Sequence, residues 1–294
     1  MTLAQTSPSR RAEQDLVKGE FAFTADDFRH LAAMLHADAG IALVEAKANL
    51  VYSRLAKRLR KLGLDSFKAY CALVASPAGA EERQNMLAAL TTNVTRFFRE
   101  DHHFGHLKAQ VLPNLIARVR QGGRARIWSA GCSSGQEPYS IALTLLSLMP
   151  DAGRFDIKIL ATDIDPNVIA EGRQGYYSAE TCTPIANDLL TRWFQATGRE
   201  GWTVGPELRQ LVSFRELNLM GNWPMRGQFD VIFCRNVAIY FEEETQSRIW
   251  ARFTAQLSPG GSLYIGHSER ISGSAADLLS TDGLTTYRLR GAGA

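Results

Sequence analysis

The chain has 294 residues, 45% hydrophobic and 21% charged, the proportions of an ordinary globular protein of one large or two modest domains. A formal net charge of +3 is too small by itself to argue for a nucleic-acid partner. Cys71, Cys132, Cys182 and Cys234 show neither C-x-x-C nor zinc-ligand spacing, which argues against a metal-built or disulfide-built scaffold and for reduced thiols in a cytoplasm.

Residues 1–18 are polar and read as a disordered tail, and "MTLAQTSPSRRAEQDL" lacks the apolar core of a signal peptide. The longest apolar stretch, near Ile141 to Met149, is far short of the ~20 residues that span a bilayer, so no direct membrane insertion is expected. Residues 19–90 read as a small helical domain. "TADDFRHLAAMLHADAG" opens on a Thr cap with acids in the first turn and stops at a glycine. "NLVYSRLAKRLRKLG", "SFKAYCALVA" and "EERQNMLAALTTN" continue the helical pattern without a strand signal.

From Arg124 strands alternate with helices. "RARIWSAG" predicts a strand and "QEPYSIALTLLSLM" a helix; "FDIKILATDID" and "PNVIAEGRQG" repeat the pair, with Pro in the first helical turn. "LVSFRELNL" and "FDVIFCRNV" read as strands and "EEETQSRIWARFTAQL" as a helix. "SPGGSLYIG" predicts a Pro-Gly-Gly turn into a further strand, and "TTYRLR" a last one. Such alternation predicts an α/β fold with a mostly parallel sheet and helices on both faces. About residues 176–211 break the pattern and read as an insertion, part helix and part short strands.

The stretch "IWSAGCSSGQEPYSIAL" is a strand-turn-helix with two glycines. It lacks the lysine of a phosphate-binding P-loop and the glycine spacing of a dinucleotide fingerprint. The turn carries Glu137 and no basic residue, which suits a cationic ligand such as S-adenosylmethionine. Asp163 falls at the end of the next strand, 28 residues after Gly135, where an acid accepts from ribose hydroxyls; Asp165, before Pro166, reads as the helix cap. The strand "FDVIFCRNV" runs into "AIYF" without the Asn/Asp-Pro-Pro-aromatic motif common in amine methylation.

"NVTRFFRE", "WSAGCSSGQEPYSIAL", "ATDIDPNVIAEGRQGYY", "FDVIFCRNVAIYF" and "GGSLYIGHSE" stand in the order found in the chemotaxis receptor methyltransferases, the CheR family, which the chain resembles over about residues 20–290. The resemblance implies an all-α N-terminal domain, then over 91–294 a Rossmann-like methyltransferase domain with a small β-subdomain inserted. It implies methyl transfer from S-adenosyl-L-methionine, released as S-adenosyl-L-homocysteine, to glutamates on cytoplasmic helices of chemoreceptors. Carried over by motif, Asn93, Thr95, Arg99, Glu137, Asp163, Asn218, Leu219, Arg235 and Asn236 match cofactor-contacting positions, and Arg99 and Tyr240 the pair that assists transfer. Whether Arg99 serves the substrate carboxylate or that of the cofactor stays open. "FQATGREGWTVGPEL" looks shorter than in relatives that grip a receptor C-terminal pentapeptide, so such tethering is not expected. The family also implies a cytoplasmic protein recruited to receptor arrays, here expected as a monomer.

"SRLAKRLRK" sets Arg54, Lys57, Arg58 and Lys61 at helical spacing, with no acid from Ala46 to Leu64. Such a stripe is often only a solvated face; given the resemblance, it is expected to dock an acidic receptor helix. The histidines of "DHHFGH" lack a metal motif and read as capping or packing groups, so no metal is expected. A donor-sensing binding module and a nucleic-acid methyltransferase are the competing classes; Arg99, Glu137, Asp163 and Tyr240 favour the enzyme.

Overall fold

The computed structural model describes residues 15–198 and 200–291. Most of the polar tail read from the sequence lies outside the described residues. Its last part does not behave as a tail: the Leu16 N–H donates to the Phe23 carbonyl at 2.7 Å, and Val17 is buried. The chain forms two compact units, one holding the residues up to Asp38 with Ala42–Leu90, the other Ala39–Ile41 with everything from Thr91 on.

The first unit is helical. Its opening helix, Ala25–Ala39, starts at a reciprocal cap: Thr24 Oγ1 accepts from the Asp27 N–H at 3.2 Å, and Asp27 Oδ2 accepts from the Thr24 N–H at 3.0 Å. The helix Ala48–Leu62 ends where Gly63 takes a left-handed conformation, φ 67°. Phe67–Ala75 begins under a Ser66 cap, and Ala80–Leu90 completes the unit. Val51, Leu55 and Leu59 recur at helical spacing and are fully buried, as are Leu31, Leu35, Phe67 and Met86. One polar knot sits in this core. Arg58 donates through Nε to Glu82 Oε1 at 2.9 Å and through Nη2 to Oε2, and the Tyr70 hydroxyl donates to Oε1 at 2.8 Å. Burial pushes the Glu82 carboxyl up, but the bonds from Arg58 and Tyr70 outweigh it and hold it below the usual range.

The second unit is α/β. Its strands are β1 (Ala125–Ala130), β2 (Ile157–Asp163), β3 (Tyr176–Ser178), β4 (Phe194–Thr197), β5 (Gly201–Val204), β6 (Val212–Glu216), β7 (Phe229–Cys234), β8 (Leu257–Ile265), β9 (Leu279–Gly283) and β10 (Thr286–Leu289). Seven form one sheet in the order β6-β2-β1-β7-β8-β10-β9. The pairs β6–β2, β2–β1, β1–β7 and β7–β8 are parallel, and β10 pairs antiparallel with β8 and β9. β1 and β7 are almost wholly buried, as strands covered on both faces must be. The chain winds from β1 outward to β2 and β6, then returns to β7 on the other side of β1. The loops after β1 and β7 therefore part at the strand C-termini, where open parallel sheets form their ligand crevice.

The Pro-Gly-Gly segment is not a turn ahead of β8 but a bulge within it. Phe229 pairs with Leu257 and Val231 already with Ser262, so the partner strand advances two residues while β8 advances five. Pro259 lacks the N–H for a ladder bond, which explains why the extra residues sit there. The insertion holds a separate antiparallel sheet, β3-β5-β4, with helices Asn187–Trp193 and Pro206–Leu211. Its Tyr177, Trp193, Phe194 and Val204 belong to the same apolar cluster as Ile141, Leu145 and Ile159 of the main sheet and its covering helix. No helix among the described residues is long and apolar enough to cross a membrane.

Candidate active site

The glycine turn after β1 is built by backbone geometry. Gly131 (φ 77°), Ser133 (φ 49°) and Gly135 (φ 96°) all take positive φ, which costs least at glycine. The Gly131 and Cys132 N–H groups donate to the Thr162 carbonyl at 2.8 and 2.9 Å, tying the turn to the end of β2. A methyl at Gly131 would overlap Val237 Cγ2, so this glycine lets the loop after β7 close onto the turn. A methyl at Gly135 would crowd the Tyr177 hydroxyl and Phe214, so that glycine serves helix–strand packing.

Asp163 ends β2 beside this turn. Its Oδ2 accepts from the Ser133 N–H at 2.8 Å and its Oδ1 from the Asp165 N–H at 3.1 Å. Burial pushes its carboxyl up, against those amide bonds. Asp165 is the cap of the helix Pro166–Gln174, its Oδ1 accepting from the Asn167 N–H at 2.9 Å. Asn93 reaches the same corner: its Nδ2 donates to Asp165 Oδ2 at 2.8 Å, and its carbonyl accepts from Ser133 Oγ at 2.7 Å. The loop after β6 closes the other side. The Leu217 N–H donates to the Asp163 carbonyl at 2.9 Å, Asn218 Oδ1 accepts from the Met220 N–H at 2.9 Å, and Leu219 is buried.

Arg235 and Glu137 form the second cluster. Arg235 Nε donates to Glu137 Oε2 at 2.7 Å, and Glu137 Oε1 accepts from Ser129 Oγ at 2.7 Å. Both side chains are within a tenth of fully buried. Glu137, expected beside a cationic ligand, thus already pairs with a guanidinium. Arg235 Nη1 also donates to the Arg99 carbonyl and, at 3.0 Å, to His103 Nδ1. His103 Nε2 lies 2.8 Å from Thr285 Oγ1, whose hydroxyl donates to the Leu284 carbonyl, so the imidazole is neutral with its proton on Nε2. Burial first, then the Arg235 charge, lower its pKa to about 3.

Arg99 donates through Nη1 to the Val94 carbonyl at 2.9 Å within its own loop, which also carries Thr95. The side chain turns to that carbonyl rather than to the neighbouring acids Glu100 and Asp101. Glu100 instead accepts from His267 Nδ1 at 3.2 Å and stands 3.7 Å from Arg235. Tyr240 ends a short helical turn, Ala238–Tyr240, half-buried against the cluster around Trp128 and Ile232. Phe98, Glu100, Ser133 and Asn236 are four of the five non-glycine residues with positive φ among those described. Such strain concentrates where a fold holds reactive groups in place.

The structure thus brings Asn93, Asp163 and Asn218 to one corner, and Glu137, Arg235, Asn236 and the Arg99 backbone to another. Arg54, Lys57, Arg58 and Lys61 belong to the helical unit, where the arginines and the lysines differ in their surroundings. Arg54 donates to the Ala89 and Leu90 carbonyls at 3.3 and 3.1 Å, and Arg58 is the partner of Glu82, so both arginines hold their own unit together. Lys57 and Lys61 are exposed. Glu100, His102 and His103 offer ligand atoms within 4.8 Å of one another, but Arg235 already donates to the His103 lone pair. Ser133, Glu100 and Glu269 were not singled out by sequence reasoning. Glu269 closes the quoted block "GGSLYIGHSE", and only its long-range contacts distinguish it.

The groups at the crevice fit S-adenosylmethionine. The turn from Gly131 to Glu137 holds no basic residue for a phosphate. The Asp163 carboxylate suits ribose hydroxyls, and Asn236 Oδ1 is a buried acceptor without a hydrogen-bond partner, suited to an ammonium. Sheet order and acceptor-lined crevice together define a methyltransferase of the S-adenosylmethionine-dependent class. The family model described as "CheR methyltransferase, SAM binding domain" matches residues 93–287, and "CheR methyltransferase, all-alpha domain" matches residues 26–91. The chain belongs to the CheR methyltransferase family. It is 56% identical over 258 residues to a probable chemotaxis protein methyltransferase of Rhizobium etli, covering 87% of this chain and 96% of that one. It is 44% identical over 275 residues to chemotaxis protein methyltransferase 2 of Pseudomonas aeruginosa, covering 91% and 94%. With the chemotaxis protein methyltransferase of Salmonella typhimurium the identity is 42% over 268 residues, covering 89% of each.

Proposed function

We propose that this methyltransferase esterifies glutamate side chains on the cytoplasmic helices of chemoreceptors. The observation that carries the reading is the near full-length similarity to proteins named chemotaxis protein methyltransferases. A glutamate side chain in water has a pKa of ~4.3 and is already a nucleophile at neutral pH, so no general base is required. S-adenosylmethionine, when bound, supplies a methyl group activated by a sulfonium. The remaining work is alignment and removal of water from the incoming carboxylate. Asp163, Asn93, Asn218 and Leu219 are the groups to hold the nucleoside end, and Glu137, Arg235 and Asn236 the methionyl end. Arg99, with one N–H on the Val94 carbonyl, keeps donors for a carboxylate, and Tyr240 lines the transfer point. Thr95 supports the same loop. The absence of an Asn/Asp-Pro-Pro-aromatic motif after β7 speaks against amine substrates.

Labelled donor and a soluble receptor fragment are expected to yield base-labile methyl groups; a base-stable product would overturn the ester reading. Asp163→Asn is expected to raise the donor Kd about 10- to 100-fold, the loss of roughly 1.5–3 kcal/mol of charged hydrogen bonding. Calorimetry with S-adenosylhomocysteine checks it without a substrate. The fragment is expected to be methylated with or without its C-terminal tail, as a monomeric, cytoplasmic enzyme that visits receptor arrays would do.

Docking by the helical unit falls to Lys57 and Lys61. Lys57→Glu with Lys61→Glu is expected to raise the receptor KM several-fold, in a salt-dependent manner, with melting unchanged. Arg58→Glu is expected instead to cost about 2–3 kcal/mol of stability, because it leaves Glu82 buried without its partner. Thermal melting beside receptor kinetics separates the two effects.

A further inference from the structure

Glu269 is buried, 2% exposed, and lies outside every group assigned above to donor or substrate. Its carboxylate gathers four backbone donors. Oε1 accepts from the Val237 and Ala238 N–H groups at 2.9 and 2.7 Å, and Oε2 from the Asn236 and Gly266 N–H groups at 2.9 and 2.6 Å. Three successive amides thus converge on one anion, the concave arrangement that backbone nests form. All four partners are donors, which a carboxylate satisfies and a carboxamide of the same shape does not.

The two loops that Glu269 joins leave adjacent strands. Cys234 at the end of β7 pairs with Ile265 at the end of β8; Gly266 follows directly and Asn236 after Arg235. Asn236 holds φ 59°, a conformation asparagine adopts only at some cost, and it is kept there from the amide side by Glu269. A Cβ at Gly266 would come within 2.9 Å of Glu269 Oε2 and closer still to Asn236. On the far side, Val237 abuts Gly131 of the glycine turn. The short turn that ends in Tyr240 begins at the same three amides.

We infer that Glu269 is a positioning residue for methyl transfer: it fixes the loop after β7, and through it Asn236 and Tyr240, against the glycine turn. The inference rests on the role proposed above for Tyr240. Its effect is on turnover rather than on the encounter with receptor, since Glu269 touches neither reactant.

A double-mutant cycle tests it, with wild type, Glu269→Gln, Tyr240→Phe and the double variant assayed at saturating donor and receptor fragment. Glu269→Gln is expected to lower kcat at least 30-fold with the receptor KM within about threefold of wild type. In the Tyr240→Phe background the same change is expected to cost less than threefold, because its effect passes through Tyr240. Exchange of the Asn236, Val237 and Ala238 amides, read by mass spectrometry without substrate, is expected to rise in Glu269→Gln. Should that variant not fold, Gly266→Ala strains the same bridge with the charge kept, and the same kcat pattern is expected. A kcat within twofold of wild type, or losses that multiply across the cycle, overturns the inference. A wild type that leaves the receptor fragment unmethylated refutes the proposed function instead, and a silent Tyr240→Phe refutes the role of that residue.

Discussion

Arg235→Met is expected to destabilise the α/β unit by about 3–5 kcal/mol, more than any surface change in the protein. The guanidinium is nearly fully enclosed, bonded to Glu137, to the Arg99 carbonyl and to His103, and it lies 5.4 and 5.7 Å from the ring centres of Phe104 and Phe233. Methionine replaces the stem but leaves Glu137 as a buried anion with only Ser129 to bond it. For a unit of roughly 200 residues this corresponds to a fall in Tm of about 10 °C. Glu137→Gln removes the stranded charge, so the double variant is expected to recover about 2 kcal/mol relative to the sum of the single losses. Urea titration of the four proteins measures that coupling. Strict additivity would mean the pair contributes nothing as a pair.

Acid is expected to unfold the same unit through His103. Its folded-state pKa, about 3, lies below its ordinary value of 6.5. A depressed histidine pKa means the unfolded chain takes up the proton first. The stabilising effect of the neutral ring is complete above about pH 6.5 and is lost as pH falls toward the folded value. Between pH 6.5 and about pH 4 the loss is on the order of 3 kcal/mol, at about 1.4 kcal/mol per pH unit. Arg235 disfavours a second positive charge, and Glu100, 3.6 Å away and shared with His267, offsets this only in part. His103→Gln is expected to flatten the dependence of Tm on pH over that range, whatever it costs at neutral pH. An unchanged slope would assign the acid sensitivity to carboxylates.

The alternation of strands and helices beyond Arg124 is legible because the central strands bury short runs such as "VIFC", and helices open on a proline, as at Pro166, or on acids, as at Glu243 and Glu244. The Thr24 and Asp165 caps are local enough to be read from neighbours in the chain. The Pro-Gly-Gly bulge was not legible, since a bulge and a turn share their residues and differ only in which strand lies alongside. The partners of the arginines in the helical stripe were hidden for a similar reason. Spacing shows which side chains share a face, but not that Glu82, 24 residues on from Arg58, waits there. At the crevice, motif order supplied the residues around both corners. The pairing of Glu137 with Arg235 spans 98 positions, and no periodicity reports it.

The insertion between β2 and β6 has a consequence for how this protein can change over evolution. Because Trp193, Phe194 and Val204 share their packing with the helix that follows the glycine turn, the subdomain is no detachable ornament. Cutting it out would bare that helix to water, and swapping it whole would oblige the sheet beneath to repack. Freedom to drift is left to the exposed residues Gln195, Ala196 and Thr197 of β4, so new recognition on this scaffold is easiest to acquire along that strand, one side chain at a time.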